Sequence, residues 1–484
     1  MTHTPSAGPP APPVPKGVPV PAPGHTGSPP VPGSLPSGDR SAPPPGTPPR
    51  RSAWSETTAR LRAAATTEPG KLRIIGAVLA ALVVAFGAVT AFEIADRASA
   101  ADDVVGRSQP LSADAASIYR SLADADTAAA SGFLAGAQEP AEVRERYRKD
   151  IANASRLLVK AAANTDGSSE SGHYIAALNE QLPRYTGLVE RARANNRLGL
   201  PLGGAYLRYA NQQMTSELLP AAQKLYEAET SRLDGDHDDA RLWPLLSLVV
   251  GVAALGGLFV AQRRNYRRTN RVFNHGLLAA TAASTVVLLW LAVGHTVARA
   301  ELDNARAHGQ ESLKVLNDAR INSLKARANE NLTLVARGAV LTADGKSDKY
   351  ETDYKAGMDR LSTALGRAES LADDGAGLDP VTAAAGAVSE WRTRHKSAGD
   401  TDKAGDYEGA LAKVIGGEDS TGQSFDRVDT ALEQALAHEQ AEFTRSAEDG
   451  RGALTGLPVG AAVLAVLGAV GAVVGIGRRL SEYR

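Results

Sequence analysis

The chain has 484 residues, a formal net charge of −1, 27 prolines and no cysteine. At ~150 residues per domain the length predicts about three domains. The near-neutral charge gives no basis for a nucleic-acid partner, and the absence of cysteine excludes both disulfide stapling and an acylated lipoprotein anchor.

Residues 1–50 hold 18 of the 27 prolines, with Gly, Ser and Thr between them. Such a stretch cannot bury enough apolar surface to offset its ordering entropy. Residues 1–70 are therefore predicted to form a disordered, partly polyproline tail, either a spacer or a docking strip for a cytoplasmic partner. The uncharged run Ile74–Phe92 follows. It is the first of four stretches of about the ~20 residues a helix needs to cross hydrocarbon. The predicted spans are 74–94, 242–261, 276–298 and 454–477, the third interrupted only by His295. Ala98-Ser99-Ala100 imitates a signal-peptidase site. The apolar run is longer than a signal-peptide core and lies far from the start, so an uncleaved anchor is predicted.

Residues 95–241 read as helix throughout, because Ala, Leu, Arg, Glu and Gln fill most positions. Breakers cluster at Gly136–Pro140, Asp166–Ser169 and Gly199–Gly204, the last including Pro201. Three turns make four helices, and apolar residues such as Ile118, Leu122 and Ala125 recur at helical spacing. Residues 299–453 repeat the plan: a long helix Ala300–Val340, a turn Thr342–Ser347, a helix Asp348–Leu371, and a Gly-rich turn to Asp379. A third helix is predicted from Pro380 to about Lys396, with a turn at Gly399–Gly405 and a last stretch interrupted at Gly416-Gly417. Gly204-Ala-Tyr206 and Gly405-Asp-Tyr407 stand in matching places, as do Tyr147 and Tyr354. The fold class expected is an all-α membrane protein. It comprises four transmembrane helices, two four-helix-bundle sensor-like domains arising by tandem duplication, and the disordered Pro-rich tail.

Orientation follows from arginine. Arg50, Arg51, Arg60, Arg62, Lys71 and Arg73 precede the first span. Arg263, Arg264, Arg267, Arg268 and Arg271 lie in the 262–275 loop, and Arg478, Arg479 and Arg484 in the 478–484 tail. Acids occupy the opposite flanks. By the positive-inside rule both termini and the loop are cytoplasmic, and both bundles are extracytoplasmic.

No Walker loop, kinase signature, nucleophile elbow or zinc-ligand set is present in the sequence. His438-Glu439 begins like a zincin motif, but position 442 is Glu and no second His follows, so it reads as a solvated helix face. Asp234, Asp236 and Asp238 start like an EF-hand without its required Gly or final Glu. No enzyme activity, cofactor or metal is expected. The polar residues placed in alanine-rich helix are Asp124 and Asp126 in the first bundle, and Asn329, Glu330 and Asn331 in the second. They either face water or form a polar layer, with Asp124, Asp126, Asn329 and Asn331 as its candidate members. In an up-down bundle the first and third turns are remote from the membrane. That makes Gly136, Pro140, Pro201, Gly204, Gly405 and Tyr407 candidate contacts for a partner at the tips. Arg264, Arg267 and Arg268, near Tyr266 and Phe273, are candidates for a cytoplasmic contact or for headgroup anchoring alone.

Residues 70–480 resemble the GlnX-type membrane protein of actinobacteria. The resemblance rests on the span–bundle–span repeat, the Arg-rich loop, Ile118-Tyr119 with Ala123-Asp124-Ala125-Asp126, Asn329-Glu330-Asn331-Leu332, and Trp391 with His395-Lys396 before Gly405-Asp406-Tyr407. It implies a place between an extracytoplasmic amino-acid-binding lipoprotein and a cytoplasmic Ser/Thr protein kinase, protein kinase G. The signal implied is glutamate, glutamine or aspartate availability, relayed to nitrogen and central carbon metabolism. A non-enzymatic transmembrane transducer is the expected class. A chemoreceptor-like sensor that binds a small ligand directly is one alternative, and a transporter accessory or structural membrane protein another. The bilayer is an expected partner, and a homodimer is left open.

Overall fold

The computed structural model describes residues 68–269 and 274–480. The Pro-rich tail to position 67, residues 270–273, the last four residues and the side chain of Arg268 lie outside the described residues. Among the described residues the secondary structure is helical, apart from turns and one isolated bridge between Leu341 and Asp348.

Helix α1 (Glu68–Asp103) passes through a single π-type turn, Val104–Ser108, into α2 (Gln109–Leu134). Then come α3 (Ala141–Asn164), α4 (Glu170–Arg197), α5 (Leu202–Gln213) and α6 (Leu219–Arg241). These helices pack with α2 as the first bundle, and α7 (Leu245–Thr269) leaves it. The second half has the same order. Helix α8 (His275–Asn304) runs through a π-type turn, Ala305–Gln310, into α9 (Glu311–Ala336). Helices α10 (Lys349–Leu371), α11 (Gly375–Lys403), α12 (Tyr407–Ile415) and α13 (Thr421–Leu454) complete the second bundle, and α14 (Leu457–Leu480) leaves it.

Local chemistry explains the starts. Ser169, Asp348, Asp374, Asp406 and Ser420 each accept a backbone N–H from three residues on, at 2.7–3.1 Å. Each such cap satisfies an orphan donor and contributes ~1 kcal/mol. The same caps correct two sequence expectations. Asp374 starts α11 before Pro380, so that proline sits inside the helix, and the helix continues through Gly399 to Lys403. The turn before α12 shrinks to Ala404–Asp406, with Gly405 at φ +90°. Likewise Gly203 and Gly204 fall in the first turn of α5 rather than in a loop.

Among the described residues, four helical runs are long and apolar enough to cross a membrane, within Gly70–Leu134, Leu202–Arg267, His275–Ala336 and Thr421–Arg478. Their apolar parts converge, with α14 packed along both α1 and α8. Small residues permit the approach: a β-carbon at Gly276 would overlap the backbone of Gly471 and Gly475, as in close-packed membrane helices generally. The incoming helices are continuous with their bundles through the π-type turns. The outgoing ones are not. Leu242–Pro244 separates α6 from α7, where Pro244 supplies no N–H, and Gly456 at φ +79° separates α13 from α14. Arg97 of α1 closes the first break, donating from Nε to Leu242 O at 2.6 Å and from Nη2 to Trp243 O at 3.2 Å. Glu93 accepts the N–H of Ser247 at 2.9 Å, so α1 also caps α7. The expected loop at 262–275 is helical to Thr269, leaving Arg264 and Arg267 exposed on α7.

The bundles are not separate bodies. One apolar core runs through both, from Ile118, Leu122, Leu158 and Leu178 to Leu324, Met358, Trp391 and Leu432. Helices α2 and α9 form the seam, and α2 is buried on nearly every face.

Candidate functional site

The seam is built from helix α2 against α9. Thr127 Oγ1 donates to Leu324 O at 2.9 Å, Asn331 Nδ2 to Ser131 Oγ at 2.7 Å, and Lys325 Nζ to Tyr119 OH at 2.9 Å. Arg120 also donates to Asn317 across it. Alanines at 115, 116, 123, 125, 128, 129 and 130 leave room for this approach.

A charge network crosses the same boundary. Arg146 of α3 donates to Asp124 of α2 at 2.8 Å and to Asp429 of α13 at 3.1 Å. Arg320 of α9 donates to the other oxygen of Asp429 at 2.8 Å. One aspartate therefore holds a guanidinium from each bundle. Asp150 sits beside Asp124, and burial followed by that like charge pushes its carboxyl well above the usual carboxylate range.

Each bundle also buries a carboxylate on its central helix and addresses it from the third helix. Asp126 accepts from Tyr185 OH at 3.1 Å and from Asn211 Nδ2 at 2.7 Å. Burial raises its pKa and those two hydrogen bonds lower it, leaving it at about 6. Glu330, 1% exposed, accepts from Trp391 Nε1 at 3.1 Å, pairs with His395 Nδ1 at 2.8 Å, and binds Arg327. His395 reaches Glu351 with its other nitrogen at 3.1 Å. Burial opposes charge on His395, but its bonds to Glu330 and Glu351 outweigh that and hold it at about 9. Tyr147 and Tyr354 match as well. The Arg193 guanidinium lies 4.2 Å from the ring of Tyr147, and the His395 ring stacks 3.7 Å from that of Tyr354.

Of the expected polar layer, Asp126 and Asn331 are buried in the seam region, while Asp124 and Asn329 are half-buried. Asp126, Asn211, Lys325, Asn329, Asp353 and Arg360 line one cavity of about 180 Å³ between the bundles. The hub Glu330 stood between the two asparagines singled out from sequence. Arg146, Arg320 and Asp429 carried no sequence signal, being scattered over three helices.

The expected tip residues do gather at one end. Asn196 Nδ2 donates to Phe133 O at 2.7 Å, joining the first and third turns, and Leu134, Leu334, Ala410 and Val414 form a joint apolar cap of the two bundles. Gly136 is half-buried at φ +65°, while Pro140, Pro201 and Gly405 are exposed. A β-carbon at Gly204 would lie 3.9 Å from Val335 of the other bundle. Tyr407 ties α12 to α9, with its ring under the Arg337 guanidinium at 3.7 Å. Leu198, Leu200 and Leu202 are exposed beside Pro201.

Residues 100–238 match the family described as an actinobacterial sensor domain. The matched stretch is the first bundle with the end of its incoming helix. No curated protein and no solved structure gave a match. The first bundle is thus similar to a sensor domain, set in a chain with four helices able to cross a membrane.

Proposed function

We propose that the chain is a non-enzymatic transmembrane signal transducer. In this reading two sensor bundles, related by duplication, stand outside the membrane, and the termini and the 262–275 segment lie in the cytoplasm. A solute-binding lipoprotein presents an amino-acid signal to the bundle tips. A cytoplasmic Ser/Thr kinase reads the outcome and adjusts nitrogen and central carbon metabolism.

The carrying observation is mechanical. Two bundles share one core and one charge network, and each is continuous with an incoming apolar helix. A displacement of α2 against α9 at the tip therefore arrives at α1 and α8, a kind of shift that receptors use. The sensor-domain match supports a sensing role. The resemblance to GlnX-type proteins supports the lipoprotein and the kinase, and exposed Leu198, Leu200 and Leu202 suit a docking tip.

The test is affinity capture of the full chain from membranes in mild detergent, with identification of retained proteins. A solute-binding lipoprotein and a Ser/Thr kinase should co-purify. Leu200→Asp should lose the first and keep the second. Replacing Arg264, Arg267 and Arg268 by Lys keeps the topogenic charge and removes bidentate geometry, so it should weaken the second only. Retention of neither by the parent chain refutes the relay. Reporter fusions near Ser168 and Gly375 should score external, and after Arg268 internal.

Direct ligand binding is the second reading, favoured by the 180 Å³ cavity in the seam. Lys325 and Arg360 line it and repel one another, while Asp126 lies on the same wall. That arrangement suits a small zwitterion. Calorimetric titration of the purified chain with glutamate, glutamine or aspartate distinguishes the two readings.

A further inference from the structure

At the opposite end of the second bundle from the tip, the turn before α11 meets α13. His438 and Glu442 stand one helical turn apart on α13, so both face the same way. Asp374 comes from the turn, where its Oδ1 also accepts the Gly377 N–H at 2.7 Å. His438 Nε2 lies 3.3 Å from Asp374 Oδ1 and 3.7 Å from Glu442 Oε2. One ligand atom from each of the three residues falls within 4.8 Å of the other two.

Three further observations separate this group from an ordinary surface ion pair. First, the spacing suits coordination. Bonds of ~2.1 Å at tetrahedral angles place ligand atoms ~3.4 Å apart, and the two imidazole–carboxylate separations straddle that value. Second, His438 Nε2 is shielded from solvent yet makes no hydrogen bond. The imidazole, 26% exposed as a whole, lies between two carboxylates at ion-pair distance. Third, glycine at 377 lets the turn approach the group closely, since a β-carbon there would stand 3.1 Å from Glu439 Oε1, 3.4 Å from Asp374 Oδ1 and 3.5 Å from His438 Cδ2. Asp373 lies beside the group, with His308 3.9 Å from it.

We propose that Asp374, His438 and Glu442 bind one divalent transition ion, of which Zn²⁺ is the type. Imidazole with carboxylates suits such an ion, whereas Ca²⁺ and Mg²⁺ select all-oxygen ligands. Three protein ligands leave a fourth position for water. The ion ties the turn at 372–374 to α13, the helix that leads to α14. It thereby braces the membrane-facing end of the second bundle on the helix that leads to α14, at a place the relay reading does not use.

The probe is Zn²⁺ itself. The untagged full chain in detergent, stripped with a chelator, is titrated with Zn²⁺ against a chromophoric competitor. The parent should take up one tight equivalent that Ca²⁺ and Mg²⁺ do not displace, and Zn²⁺ should raise its melting temperature. His438→Ala and Glu442→Gln should bind at least ~100-fold more weakly, exceeding the loss typical of an outer partner. Asp374→Asn preserves the helix cap through its amide oxygen, so it tests the ligand without unfolding α11. Zn²⁺ affinity in Asp374→Asn and His438→Ala within about threefold of the parent, well below that outer-partner loss, overturns the site. So does equal displacement by Ca²⁺, which marks an acidic patch.

Discussion

Glu330→Leu is the most informative single change in the second bundle. The carboxylate is 1% exposed and is the counter-ion for both Arg327 and His395. Leucine fills similar space but leaves Arg327 buried with only Thr421 Oγ1 at 2.9 Å and Val414 O at 3.0 Å. An unpaired buried cation costs ~3–5 kcal/mol. The orphaned Trp391 N–H adds ~1–3 kcal/mol. His395 can relieve part of this by losing its proton, so the net loss should be ~3–5 kcal/mol. For a unit of 150–250 residues each kcal/mol moves Tm by ~2–4 °C, which gives ~6–20 °C.

The pH dependence carries an independent sign. His395 is raised from 6.5 to about 9. Its folded pKa exceeds its unfolded one, so its stabilisation is complete below pH 6.5 and is lost as pH rises through about 9. The gap corresponds to roughly 3 kcal/mol. The parent should therefore melt at progressively lower temperature between pH 7 and pH 10, and Glu330→Leu should flatten most of that slope. Circular-dichroism melts of the full chain in detergent, followed in parallel by Trp fluorescence, read both. A Tm within ~2 °C of the parent, under the ~1 kcal/mol that one such step represents, would refute the assignment of Glu330 as the charge hub.

Asp429→Asn should free Arg146 and Arg320 from their shared carboxylate at a cost of ~1–2 kcal/mol, since Arg146 is 33% exposed on its side chain. Hydrogen exchange should rise in α3 and α9 while the apolar helices stay protected. Gly276→Leu should collapse the packing of α8 on α14 and shift the chain to aggregates on gel filtration, whereas Gly256→Leu, which meets nothing within 4 Å, should elute like the parent. Arg97→Ala leaves the carbonyls of Leu242 and Trp243 without their donor, and amide exchange at 242–247 should quicken with no change at Gly456.

The four apolar helices were legible because hydrocarbon thickness sets a length that few soluble sequences satisfy, and the described residues hold helices of that length and hydropathy. The turn at 136–140 and the start of the one at 199–204 were legible because Gly136 and Gly199 adopt positive φ, where glycine is at little disadvantage. The start of α11 was misjudged because proline and glycine near 375–380 read as a turn, while the decisive residue was the cap at Asp374. The seam had a signal that went unused. Residues 115–130 hold seven alanines spread over most of the helix surface, and a helix apolar over so much of its circumference is a central one. Of the network, Asp124 stood out as a carboxylate in alanine-rich helix, but Arg146, Arg320 and Asp429 had no signal, since nothing in a charge's own neighbourhood reveals which distant helix will face it.

The fused core changes how a signal can travel. Separate bundles could tilt independently, but α2 and α9 share hydrogen bonds from Arg120–Asn317 up to Ser131–Asn331. Lengthwise sliding of one helix past the other by a full turn, ~5.4 Å, would break all of them together. Smaller rotations about the seam would keep most. The outgoing helices then respond differently. In the first half Arg97 and Glu93 lock the break at 242–244 to α1, so α1 and α7 must move as a pair. In the second half Gly456 separates α13 from α14, and α14 packs on both α1 and α8. Under the proposed relay, a rotation at the seam would reach α14 from two sides, through α1 and α8, and α14 would be the place where the two halves are compared.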